Sequence, residues 1–139
     1  NNDQDNHLCK RYPSLLILFL RGFAPKVLRN IFKEKLAHYE MKDLKKIKTA
    51  HEVPLASGFF MFMRLQQIRE IGGFSKDFFM YFEDYDLSLR SASVGKIMLV
   101  PKIKVKHFGG NSSKKGFKHI CLFISGAITF FNKFGWRFF

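Results

Sequence analysis

Phe78-Phe-Met-Tyr-Phe-Glu-Asp-Tyr-Asp86 is the stretch on which the reading of this chain turns. Three carboxylates, Glu83, Asp84 and Asp86, fall within four residues, directly behind five aromatic or Met side chains. They are the last acidic residues of the sequence: ten Lys or Arg follow Asp86, and no Asp or Glu. Taking carboxylates out of water is costly, so a tight group of them in apolar surroundings is paired, metal-bound or used in chemistry. The pattern from Asp84 to Val94 predicts a short helix that begins on its acidic residues. Negative charge there suits the free N–H groups and the macrodipole of the first turn, and Gly95 is placed as a C′ residue would be. Two readings follow from this stretch alone: a capped helix with an acidic first turn, or carboxylates employed in chemistry.

The flanks bear on that choice. Upstream run Leu55-Ala-Ser-Gly-Phe-Phe-Met-Phe-Met-Arg64 and Gln67-Ile-Arg-Glu-Ile-Gly-Gly-Phe74; downstream run Gly95-Lys-Ile-Met-Leu-Val-Pro101 and Val105-Lys-His-Phe-Gly-Gly110. In this order and spacing, Ser57 to Ser113 resembles the family 2 glycosyltransferases of the GT-A fold, closest to bacterial rhamnosyltransferase-like members that build surface polysaccharides. The likeness is weaker at Lys10-Arg-Tyr-Pro13 and from Phe130 to Trp136.

The resemblance implies an α/β protein, the C-terminal portion of a GT-A domain, with a mixed sheet and flanking helices. It implies inverting transfer of a sugar from a nucleoside diphosphate sugar to a hydroxyl acceptor, which needs a base on the acceptor and charge neutralisation on the departing diphosphate. Asp84 matches the second residue of the family's Glu-Asp pair and is the expected base. Glu83 and Asp86 are expected to orient the acceptor or the loop. Ser57 and Gly58 match the sugar and acceptor pocket. His107 matches a ligand of a divalent cation, Mg2+ or Mn2+, whose other ligands, an Asp-x-Asp pair, are absent from this sequence. Gly109, Gly110, Ser112 and Ser113, with Lys114 and Lys115, match a loop able to close over a diphosphate through free N–H groups and charge. Acceptors in such enzymes are often lipid-linked, which implies a cytoplasmic protein peripheral on the inner face of the membrane.

The chain has 139 residues, one domain at most, and 47% of them are hydrophobic, with eighteen Phe able to fill a core. The sequence does not begin with Met and has no Gly-rich stretch for a sugar nucleotide, so residues 1–139 are expected to be one part of a longer enzyme. A formal net charge of +13 points to an anionic partner: nucleotide diphosphate, lipid phosphate, membrane surface or nucleic acid. A nucleic-acid binder is disfavoured because the Phe residues sit in continuous apolar runs and not on an alternating exposed face. A non-catalytic, membrane-associated remnant is the other alternative. A glycoside hydrolase needs carboxyls about 5–10 Å apart across the bond, which one helical turn does not provide. Cys9 and Cys121 lie far apart without metal-ligand spacing. No apolar run reaches the ~18–20 residues of a membrane span.

Taken in order, Tyr12-Pro-Ser14 predicts a helix start before Leu15 to Leu20, and Pro25 the first turn of another through Phe32. Lys33 to Lys48 reads as a solvated helix or loop. Leu55 to Arg64, nearly all apolar, is expected as a central strand, with Gly58 marking a close approach. Gln66 to Ile71 is expected as a short helix, with Phe74 buried as an anchor. Lys96 to Val100 and Ile103 to His107 are expected as strands, the second at an edge. Phe117 to Phe134 predicts an amphipathic helix whose polar stripe is Lys118, Ser125, Thr129 and Asn132. With Lys133, Trp136 and Arg137, residues 117–139 are expected to meet an anionic membrane surface, or to pack on the domain, or both.

Overall fold

The computed structural model describes residues 9–106 and 116–139. Its elements are mixed α/β. Strand β1 (Cys9–Lys10) precedes helices α1 (Leu15–Gly22), α2 (Lys26–Ile31) and α3 (Lys33–Tyr39) and a 3-10 turn (Lys42–Lys46). Then come β2 (His51–Glu52), β3 (Leu55–Ala56), α4 (Leu65–Glu70), α5 (Glu83–Ser91), β4 (Met98–Leu99) and α6 (Phe117–Phe134). The strands form two short antiparallel ribbons. Cys9 pairs with Ala56 and Lys10 with Leu55; His51 pairs with Leu99 and Glu52 with Met98.

Local chemistry accounts for the helix starts. The Ser14 hydroxyl accepts the Ile17 N–H at 3.3 Å and caps α1, and Pro25 stands immediately before α2, where its missing N–H leaves nothing unpaired. The tail after α6 supplies the rest of the α1 cap. Leu15 N–H donates to the Arg137 carbonyl at 2.9 Å and Leu16 N–H to the Phe138 carbonyl at 3.2 Å, which satisfies donors that a helix start otherwise leaves open. Tyr12 Oη donates to the Gly135 carbonyl at 3.0 Å, and the Arg137 guanidinium lies 4.0 Å from the Tyr12 ring centroid.

Packing follows these ties. Leu18 of α1, Phe78 and Phe82 before α5, and Ala127, Phe130 and Phe131 of α6 make one buried cluster, in which both α6 Phe rings are fully enclosed. Each such ring contributes on the order of 1.5–3 kcal/mol by its burial. The other side of α1, Ile17 and Leu20, packs on Leu36 and Tyr39 of α3.

Helix α6 has the expected bounds, and α5 and α4 lie within a few residues of theirs. Five expectations are corrected. Residues 33–48, expected as a solvated helix or loop, bury Leu36 and Tyr39, because α3 packs on α1, and also Met41 and Leu44. The apolar run 55–64 is strand only at β3, then turns at Gly58, leaving Phe60 and Phe62 exposed. A continuous apolar run makes a central strand only with a neighbour on each side, and among the described residues β3 pairs with β1 alone. Residues 103–106 are irregular, with Ile103 and Val105 exposed, and strand 96–100 is reduced to β4. Phe74 is 54% exposed instead of buried, carried outward by a turn in which Gly72 and Gly73 both have positive φ.

Candidate active site

The acidic helix begins at a turn that is itself unusual. Tyr81 and Phe82 take left-handed φ of 68° and 64°, and neither is glycine. Each such residue costs roughly 1–2 kcal/mol. Burial offsets this: the Phe82 ring is enclosed against Phe123 and Phe130, at centroid distances of 5.3 and 5.4 Å. Tyr81 Oη is hydrogen-bonded to His119 Nδ1 at 3.1 Å. Gly126 of α6 lies directly over the turn, where an added Cβ would stand 3.1 Å from the Tyr81 carbonyl oxygen.

From that turn α5 is stitched to the β3 segment by two residues one helical turn apart. Asp84 Oδ2 accepts the Gly58 N–H at 3.0 Å. Ser88 Oγ accepts the Ala56 N–H at 3.1 Å and donates to the Asp84 carbonyl at 2.7 Å. Gly58 is the close approach that its position in an apolar run foretold: a Cβ there would sit 3.2 Å from Asp84 Cβ. Ser57-Gly58 and Glu83-Asp84, distant in sequence, therefore meet. Asp84 Oδ1 also accepts the Tyr85 N–H at 2.9 Å. Burial pushes the Asp84 carboxyl above the ordinary range; the Gly58 N–H opposes this and the neighbouring Glu83 charge adds to it. Glu83 is half-buried, and its Oε2 is enclosed without a hydrogen-bond partner among the described residues.

Asp86 has a different environment from its two neighbours. It is fully buried. Its Oδ2 receives Arg90 Nε at 2.8 Å and Nη2 at 2.6 Å, while Oδ1 lies 2.8 Å from Lys133 Nζ of α6. Arg90 also donates to the Ile71 and Gly73 carbonyls, which holds the Gly72-Gly73 turn against α5. Lys133 reaches Asp77 at 3.4 Å as well. Expected as a residue that orients acceptor or loop, Asp86 instead presents its oxygens to Arg90 and Lys133, and it is Arg90 that holds the Gly72-Gly73 turn. Lys133, expected as a surface cation, is committed to this network, and its two carboxylates raise its pKa, Asp86 first.

Two residues beside the site carry no signal in the sequence. Tyr85 Oη lies 2.7 Å from Tyr39 Oη, and Arg21 Nη1 donates to the latter at 3.4 Å. Burial drives both phenols above their ordinary range, Tyr85 strongly. Tyr85 lies within the acidic motif, but its partner is 46 residues away.

A cavity of about 410 Å3 adjoins α5 beside the Asp84–Gly58 contact, bordered by Leu87, Ser88 and Ser91 of the helix and by Ala56 and Ser57. Ser57, Gln67, Ser88 and Ser91 are its uncharged polar lining residues, and Phe60, Met61, Met63 and Leu99 belong to its apolar part. Ser57 thus borders the cavity while the next residue binds Asp84. The other expected site residues, His107, Gly109, Gly110, Ser112 and Ser113, lie outside the described residues, as do Lys114 and Lys115. Among the described residues no three His, Cys, Asp or Glu side chains converge as a metal site would require. Glu83 Oε2 is one enclosed, unpartnered acceptor, and the described side chains alone do not hold a cation. Comparison with family models, with curated proteins and with solved structures finds no match to this chain.

Proposed function

We propose that this chain carries the acceptor side of an inverting glycosyltransferase of the family 2, GT-A type, acting in cell-surface polysaccharide synthesis. The observation that carries the reading is the Asp84–Gly58 contact, which joins two motifs named for one pocket on independent stretches of sequence. Asp84 is the general base. It removes the acceptor hydroxyl proton as that oxygen bonds the anomeric carbon and the bond from that carbon to the diphosphate oxygen breaks, inverting the centre. Burial raises its proton affinity toward what a base needs near neutral pH, and the Gly58 N–H fixes its orientation. Glu83, one residue away and with Oε2 lacking a hydrogen-bond partner among the described residues, orients the acceptor. A divalent cation, when bound with His107 and carboxylates beyond those described, would neutralise the diphosphate.

The test is the full-length protein assayed for nucleoside diphosphate release with a panel of donor sugars, with and without Mg2+ or Mn2+. Asp84→Asn is expected to lower transfer by ~10²–10⁴-fold while donor affinity and the melting temperature stay close to wild type. Near-normal turnover in that variant removes Asp84 from the role, and no turnover with any donor by a folded wild-type protein removes the reading.

A further inference from the structure

Helices α1 and α6 leave an open groove of about 190 Å3 between them, walled by Leu15, Phe19, Phe23, Ile124, Ile128 and Trp136. Phe19 and Phe23 stack at a centroid distance of 6.4 Å and are each 49% exposed. Ile124 and Ile128, both 46% exposed, stand beside the buried stripe of α6, while the polar residues Ser125 and Asn132 lie farther round the helix. At one end Trp136 stacks on Phe131 and Phe138 and donates Nε1–H to Asn132 Oδ1 at 3.0 Å, leaving an apolar ring face with a polar tip.

We infer that this face docks on an anionic lipid bilayer, its aromatic and branched side chains entering the headgroup boundary. Charge selects that occupant. Helices α1, α2 and α6 contain no acidic residue; Lys26, Arg29 and Lys118 lie on them and Arg137 follows Trp136, while Arg21 turns to Tyr39 and Glu40 on the α3 side of α1. An apolar face on helices that carry cations and no acidic residue is complementary to anionic headgroups over acyl chains. It is poorly matched to a second copy of a +13 chain, whose surround has the same sign. None of the helices among the described residues is long and apolar enough to cross a membrane, so the contact is in the plane of the interface. The same face explains why exposed Phe and Ile cluster here in place of scattering singly. The inference is independent of the transferase reading, since vesicle binding requires neither donor nor turnover.

The test uses the full chain with phosphatidylcholine vesicles, with and without phosphatidylglycerol. Trp136, the single tryptophan, reports insertion through a blue shift and shielding from an aqueous quencher. The expected result is tight binding to mixed vesicles and weaker binding to neutral ones, with high salt lowering the first but not erasing it. Ile124→Ser with Ile128→Ser should weaken both at least tenfold at an unchanged melting temperature. Lys118→Gln with Arg137→Gln should weaken mixed-vesicle binding roughly 25-fold, about fivefold for each charge, and leave neutral vesicles nearly unaffected. Equal partitioning of wild type to both vesicle types, or none with Trp136 still open to quencher, overturns the proposal. So does a concentration-dependent dimer in wild type that the Ile pair abolishes, which assigns the groove to a second copy.

Discussion

Asp86→Asn separates a carboxylate that holds the fold from one that acts on a substrate. The amide has the same shape, but it removes the charge to which Arg90 and Lys133 are directed, at 2.6–2.8 Å on a residue with no exposed surface. Removing one partner of a buried ion pair costs about 3–5 kcal/mol. Two features reduce that here. Arg90 keeps its bonds to the Ile71 and Gly73 carbonyls, and the Lys133 side chain, 33% exposed, can turn to water and to Asp77. Hydrogen bonds to charged groups are worth about 1.5–3 kcal/mol each, so the net loss should be about 2–4 kcal/mol. For a chain of this size that lowers the melting temperature by roughly 6–15 °C. Urea unfolding followed by Trp136 fluorescence gives the free energy and circular dichroism the melting temperature. Lys133→Met should cost less, about 1–2 kcal/mol, and the double variant less than the sum of the two, because both remove one shared contact. An Asp86→Asn protein within about 0.5 kcal/mol of wild type that still loses transfer would refute the reasoning and return Asp86 to the substrate.

Three further outcomes follow from the contacts around α5. Gly58→Ala should cost about 1–2 kcal/mol in urea unfolding and lower transfer with it, because the new Cβ meets Asp84 Cβ at 3.2 Å; an unchanged enzyme would show that the two segments part freely. Gly126→Ala gains about 1 kcal/mol of helix propensity but forces a methyl against the Tyr81 carbonyl and the Phe82 ring, and a net loss of about 1 kcal/mol is expected; a more stable protein would mean that the turn yields. Asp84, whose folded pKa is raised by burial, holds its proton more tightly in the folded than in the unfolded state. Stability should therefore fall as pH rises from the ordinary value of 3.8 through the raised one, and Asp84→Asn should flatten that stretch of the stability–pH curve; an unaltered slope would remove the burial argument.

The helices were legible because their signals are local. Ser14, Pro25 and the apolar period of Phe117–Phe134 each act within a turn or two of their own position, and the bounds of α6 agree with the reading. The run 55–64 misled because burial of a strand depends on its neighbours, which a single stretch does not contain. Gly58 gave a true sign of close approach, yet the partner, Asp84, came from the fold. Asp86 and Asp84 look alike in sequence. Their environments diverge because the cation that matters, Lys133, arrives from α6, and nothing near the acidic motif announces it. The Tyr39–Tyr85 pair was hidden for the same reason. Phe74 was misplaced by a pair of positive-φ glycines whose direction the sequence does not encode.

The cap on α1 also sets an order of events during synthesis. Tyr12 and Gly135, which join α1's approach to the tail, are 123 residues apart. At roughly 5–20 residues per second, a ribosome delivers the tail roughly 6–25 s after α1. Throughout that interval Leu15 and Leu16 have no Arg137 or Phe138 carbonyl to receive their N–H groups, and Leu18 has no Phe130 or Phe131 to pack against. An isolated helix of eight residues does not persist in water. The nascent chain therefore holds Leu15 to Leu20 for many seconds with only its Ile17–Leu20 side covered, by Leu36 and Tyr39 of α3, while Leu18 and the first turn wait for the tail. Arrival of the tail completes the cap and the second packed side of α1.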